Sequence, residues 1–140
     1  MDLSKFDTVK AATQGAFLHL EFDGKLLYDE KTHEPVGLFC LGSDSQAYQN
    51  SKHKQQDSRI GRARIGRGGR MKNIKAEETD YEALQLVAGV VTGLRCIESS
   101  GVPLEFSYDN VVALFERFPW ILEQADEFIH DRSNFRIGAD

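Results

Sequence analysis

Ala16-Phe17-Leu18-His19-Leu20-Glu21-Phe22-Asp23-Gly24-Lys25-Leu26-Leu27-Tyr28 is the stretch that decides the fold class. From Ala16 to Phe22 the side chains alternate. Leu18, Leu20 and Phe22 share one face, and Phe17, His19 and Glu21 share the other. A period of two marks a strand with one face buried. Asp23-Gly24 supplies two residues that tolerate positive φ, which is hairpin-turn chemistry. Lys25-Leu26-Leu27-Tyr28 then returns. After a polar stretch ending at Pro35, Val36-Gly37-Leu38-Phe39-Cys40-Leu41 reads as a third strand. The economical arrangement over residues 1–42, which look mostly extended, is a small antiparallel meander. Such a sheet is marginal alone, so a helix has to cover its apolar face.

Beyond this β part, residues 43–75 are polar and basic. Gly42-Ser43-Asp44-Ser45 reads as a turn and helix start, with Ser43 and Gln46 at capping-box spacing. A helix is expected from Asp44 through Ser58, polar on most faces and so poorly supported by core packing. Arg59-Ile60-Gly61-Arg62-Ala63-Arg64-Ile65-Gly66-Arg67-Gly68-Gly69-Arg70 follows. Each glycine costs a helix about 1 kcal/mol relative to alanine, so this segment is expected to be flexible and exposed.

Residues 76–135 read as the helical part. Thr79 and Glu82 have capping-box spacing. Leu84, Val87, Val91 and Leu94 recur at helical spacing, which predicts a core helix ending at Ser99-Ser100-Gly101. Val102–Phe106 is a short extended crossing. Ser107 caps the next helix, and Phe118-Pro119-Trp120 ends it and opens another, because proline suits a first helical turn. Ile121, Leu122, Ala125, Phe128 and Ile129 form the apolar stripe of that last helix. The expected class is α+β: a small N-terminal antiparallel β meander packed with a predominantly helical C-terminal part, in one domain over residues 1–140.

The length of 140 residues suits one domain, which needs neither disulfide nor metal to fold. Two cysteines, Cys40 and Cys96, make no Cys-x-x-Cys pair, and no histidine pair has zinc spacing. The start lacks a signal-peptide pattern, and no apolar run reaches a membrane span, so a cytoplasmic protein is expected. The net charge of −5 hides a division. Residues 51–75 hold nine basic residues and one acid, a net +8, and the remainder carries −13. Such asymmetry points to a polyanion, an acidic partner surface or self-association.

The basic segment suggests phosphate neutralisation by Arg59, Arg62, Arg64, Arg67 and Arg70. However, no aromatic stands between Gln49 and Asp80 to stack on bases. Its glycines form no phosphate loop, because no Gly-Lys-Ser/Thr follows them. His19 beside Glu21 reads as an exposed polar pair, and Cys96 as inert core. No catalytic set, cofactor site or metal site emerges, and an enzyme is not expected. Phe118 and Trp120 are candidates for a partner contact, Trp120 as an anchor of the hot-spot kind.

Two stretches resemble the tail assembly chaperones of long-tailed bacteriophages. The first is Leu41-Gly42-Ser43-Asp44-Ser45-Gln46-Ala47-Tyr48, similar to that family's Gly-x-Asp-Ser turn and polar helix. The second runs from Gly101-Val102-Pro103-Leu104-Glu105-Phe106-Ser107 through Phe118-Pro119-Trp120-Ile121-Leu122-Glu123-Gln124 to Asp131-Arg132-Ser133-Asn134-Phe135. The resemblance implies a non-enzymatic role in tail morphogenesis in the host cytoplasm. Such a chaperone binds the tape-measure protein, keeps it soluble, helps recruit tail-tube protein and is absent from the mature virion. Self-association is compatible with the charge division, and no membrane partner is implied. The competing expectation is a small nucleic-acid-binding regulatory protein acting through the basic Gly/Arg segment.

Overall fold

The computed structural model describes residues 1–65 and 76–136, with backbone alone described for 58–65 and 76–79. Its class is α+β, with antiparallel strands towards the N-terminus and helices towards the C-terminus. In chain order the elements are α1 (Thr8–Gln14), β1 (Ala16–His19), β2 (Glu21–Phe22), β3 (Lys25–Leu26), β4 (Gly37–Cys40), α2 (Gln46–Ile65), α3 (Ala76–Ala88), β5 (Val91–Arg95), β6 (Glu98–Ser99), β7 (Val102–Pro103), α4 (Tyr108–Arg117) and α5 (Pro119–His130). Short 3₁₀ turns stand at Leu3–Phe6 and Arg132–Asn134.

The main sheet has the order β1-β4-β5, antiparallel throughout. This differs from the expected meander in two ways. The Asp23-Gly24 turn forms, with φ of 56° and 78°, but it joins only the two-residue strands β2 and β3. Strand β4 passes that hairpin and pairs directly with β1, Leu18 facing Leu38. The third strand comes from residues 91–95, which the helical spacing had assigned to the core helix. Helix α3 stops at Ala88 because Gly89 follows it and the next residues are β-branched. Val90-Val91-Thr92 favours extended backbone, and pairing with β4 fixes the choice. Cys96 therefore lies at a strand end with φ 59°, not in a helix.

Three further expectations shift. Residues 1–14 are not extended: Asp2 accepts from the Ser4 N–H, and Asp7 accepts from the Lys10 N–H to cap α1. Ser45, not Ser43, caps α2; it is fully buried and its Oγ accepts from the Tyr48 N–H. Helix α2 also continues through Gly61 to Ile65, so Arg59, Arg62 and Arg64 stand on helical backbone instead of a flexible strip. Arg67 and Arg70 lie outside the described residues. The start of α3 at Ala76 puts Thr79 inside the helix instead of at its cap.

The C-terminal helices follow the sequence closely. Ser107 Oγ accepts from the Asn110 N–H, and Pro119 occupies the first turn of α5. The core lies between one face of the sheet and helices α3, α4 and α5. Leu18, Leu38, Cys40 and Val91 meet Val87, Val111, Leu114, Phe115, Ile121, Ala125 and Ile129 there. Burial pushes the Cys40 thiol up to about 12, so it stays protonated and inert.

Gly37 is the tightest point. A Cβ there would overlap the Leu18 carbonyl oxygen and lie 2.6 Å from Phe17 Cζ. Two substitutions test this packing by urea unfolding. Leu38→Ala should cost about 2–5 kcal/mol, the range for a buried leucine. Gly37→Ala should separate β1 from β4 and leave little folded protein. A Gly37→Ala chain as stable as the parent would contradict this register.

A candidate protein-interaction surface

Helix α5 carries the predicted anchor. Trp120 stands in its first turn, half-buried, with its ring 5.1 Å from that of Phe22 at 64°. Phe22 belongs to β2 and is 54% exposed. Gln124, one turn after Trp120, binds the same hairpin. Its Nε2 donates to the Glu21 carbonyl at 2.6 Å, and its Oε1 accepts from the Glu21 N–H at 3.0 Å. One side-chain amide thus satisfies both backbone groups of an edge residue, as a neighbouring strand would. The hairpin is held against α5, and Phe22 extends the aromatic surface that Trp120 begins. Phe118 is exposed, with the Arg117 guanidinium 5.7 Å from its ring centre. Trp120 is therefore neither sealed core nor a free handle. Its inner edge packs on the core and its outer part shares a surface with Phe22.

Of the other aromatics in this third of the chain, Phe115 and Phe135 are buried, Phe128 is half-buried and Tyr108 is exposed. The candidates Arg59, Arg62 and Arg64 have described backbone only, on α2, while Trp120 and Phe118 are on and beside α5. No described contact joins the two groups.

The turn before α2 and the segment after α5 meet in space. Arg132 donates to Asp44 from Nε at 2.6 Å and from a terminal nitrogen at 3.1 Å. The Ser43 N–H donates to the Ile129 carbonyl, and the Gly42 N–H to the Ala12 carbonyl. Gly42 faces the Phe135 ring so closely that a Cβ would come within 3.1 Å of it. Asn134 Nδ2 donates to the Phe128 carbonyl. These residues make a clasp that fixes the turn before α2 to the end of α5. The clasp leaves only a niche of about one water's size beside Thr8 and Arg132. No protein-family model, curated protein or solved structure matches this chain. The clasp therefore stands on its own geometry.

A second cluster escaped the sequence reading. The face of the β1-β4-β5 sheet turned away from the core carries Phe17, His19 and Phe39. Phe17 and Phe39 are 5.0 Å apart, and His19 meets the Tyr28 ring edge-on at 4.8 Å. His19 is held by donating from Nε2 to the Leu27 carbonyl at 2.7 Å. Arg95 lies 6.0 Å from the Phe17 ring centre and 3.6 Å from Glu34. The available signal was that Val36–Leu41 is apolar at every non-glycine position. A strand apolar on both sides has uses for both of them.

Two electrostatic features mark these regions. The Arg132 guanidinium beside Asp44 holds its carboxyl below the ordinary 3.8. Burial, followed by the charges of Glu34 and Asp29, raises the Cys96 thiol. Elsewhere His130 Nδ1 donates to the Asp126 carbonyl, and its Nε2 is hydrogen-bonded to the buried Tyr48 hydroxyl at 3.1 Å. Among the described residues, no three His, Cys, Asp or Glu side chains are placed to hold a metal, and no helix is long and apolar enough to cross a membrane.

The clasp gives a pH prediction. A carboxylate whose folded pKa lies below its unfolded value stabilises the fold above the unfolded pKa, near 3.8 here. That contribution is lost as pH falls through the folded value. Asp44→Asn should therefore lower the urea midpoint at pH 7, and the gap to the parent should close below pH 3.8. An equal gap at both pH values would mean that the Asp44–Arg132 charge pair contributes nothing.

Proposed function

We propose that this chain is a non-enzymatic assembly chaperone of the phage-tail kind. It binds the tape-measure protein, keeps that protein's apolar helices soluble and helps recruit tail-tube subunits in the host cytoplasm. The observation that carries the reading is the convergence of the two resembling stretches. The Gly42-Ser43-Asp44 turn and the Arg132–Phe135 segment lie 88 residues apart at their ion pair, yet form one clasp. Residues that share a motif and also share a contact are the ones a common fold would need.

The exposed rings supply the means of binding. A chaperone for amphipathic helices needs apolar area that its own core does not use. Phe22 and Trp120 provide it on rigid supports, one on a hairpin fixed by Gln124 and one on a helix. Large, stiff rings bind with little loss of side-chain freedom, which is why tryptophan dominates interface energetics.

Co-expression with the tape-measure protein of the same phage tests the reading. The expected result is a soluble tape-measure protein that co-elutes with this chain on size exclusion. A Trp120→Ala chain that keeps its circular dichroism should retain less of it, with affinity down by about tenfold or more, as for an interface hot spot. A tape-measure protein that stays insoluble, with no complex eluting, would refute the proposal.

A further inference from the structure

We propose that the open face of the β1-β4-β5 sheet is a docking surface for an amphipathic helix of a partner protein whose apolar stripe is bordered by lysine or arginine. This face lies on the other side of the sheet from the core and is separate from the Phe22–Trp120 surface.

Strand alternation puts Phe17 and His19 on this face, and the β2–β3 hairpin beside the sheet continues the alternation with Glu21 opposite Leu26 and Tyr28 two residues further on. Phe39 joins them from β4. Phe39, Leu26 and Tyr28 keep 39%, 49% and 53% of their surface exposed. A connected set of aromatic rings left open on a sheet is more than scattered surface apolarity.

The floor is shallow because two glycines lie beneath the rings. A Cβ on Gly37 would come within 2.6 Å of the Phe17 ring, and one on Gly93 within 3.2 Å of the Phe39 ring. Both rings therefore lie down on the sheet instead of standing up from it. Three strands spaced about 4.8 Å apart make a strip of roughly 10–15 Å, and a helix is about 10–12 Å across with its side chains. One helix fits such a floor, just as α3, α4 and α5 cover the opposite face.

The charge at the border chooses the partner. Glu34 lies 3.6 Å from Arg95 and also 3.7 Å from Cys96 Sγ, and Asp29 stands beside it, its N–H donating to the Glu34 carbonyl at 2.8 Å. Glu21 adds a third carboxylate from the hairpin beside the sheet. Against these three stand Arg95 and Lys31, and Lys31 acts on Asp29. The excess of carboxylates attracts a cationic border and repels phosphate. Stacked bases are therefore the poorer occupant for these rings, although rings alone would suit them.

The test uses two labelled 18-residue peptides with the same leucine stripe at helical spacing, one bordered by lysine and the other by glutamate. Anisotropy titrations against the full chain should show the lysine-bordered peptide binding about tenfold tighter or better. Phe39→Lys should weaken it by about tenfold. Glu34→Lys should narrow the preference between peptides, and Phe6→Ser, an exposed ring elsewhere, should change nothing. Should Phe39→Lys fail to fold by circular dichroism, Tyr28→Ala takes its place, since that ring is 53% exposed. The proposal is overturned by any of four results: no binding of the lysine-bordered peptide; equal binding of both peptides; equal weakening by Phe6→Ser; or a Phe39-dependent affinity for oligouridine or for a second copy of the chain. None of these measurements involves a tape-measure protein, so this inference and the chaperone reading succeed or fail separately.

Discussion

Strand β4 must take a neighbour on each edge while side chains press on both its faces, and glycine at position 37 makes that possible. Its backbone lies against the Leu18 carbonyl and under the Phe17 ring, where no Cβ fits. Leu38 and Cys40 of the same strand are wholly buried and belong to the core that the helices close. With β4 in place, β1 and β5 pair to it, Leu41 reaches the Val90 carbonyl, and Gly42 reaches Ala12 and Phe135. The clasp around Asp44 and Arg132 follows directly from the end of this strand. The fold is thus organised by four residues near the middle of its first half.

Local chemistry was readable wherever one interaction decided the conformation. Asp23-Gly24 makes its turn, Ser107 makes its cap, and Pro119 opens its helix, because each depends on atoms within a few residues. The alternation of Leu18, Leu20 and Phe22 was also legible, since burial on one face leaves a period of two. Residues 91–95 were misread for a physical reason. Val87, Val91 and Leu94 fit a helical stripe, while Val90-Val91-Thr92 fits a strand equally well, and only the open edge of β4 breaks the tie. That edge lies about fifty residues away in the chain. The Asp44–Arg132 pair is long-range in the same way, and nothing in either segment alone announces it.

The candidate surface was half legible. Trp120 was identifiable as an aromatic just after a proline, but its partner Phe22 had been counted with the core face of a strand. The hairpin is too short to bury Phe22, and Gln124 holds it beside α5, so the ring becomes surface. Phe17 and Phe39 were hidden by the opposite effect. Their strands read as ordinary core strands, and only the helices' placement on one side shows that the other side is open. A two-layer arrangement with aromatic rings on its bare layer suits a protein that lends apolar area to another chain.

The open face exists only because residues 91–95 form the third strand of the sheet. Backbone nuclear Overhauser contacts and amide exchange at this segment test it directly. The account predicts cross-strand contacts between Gly93 and Phe39 and between Arg95 and Gly37, with slow exchange of the amides that pair across β4–β5. Sequential helical contacts running unbroken from Leu84 through Leu94, with none to β4, would contradict it.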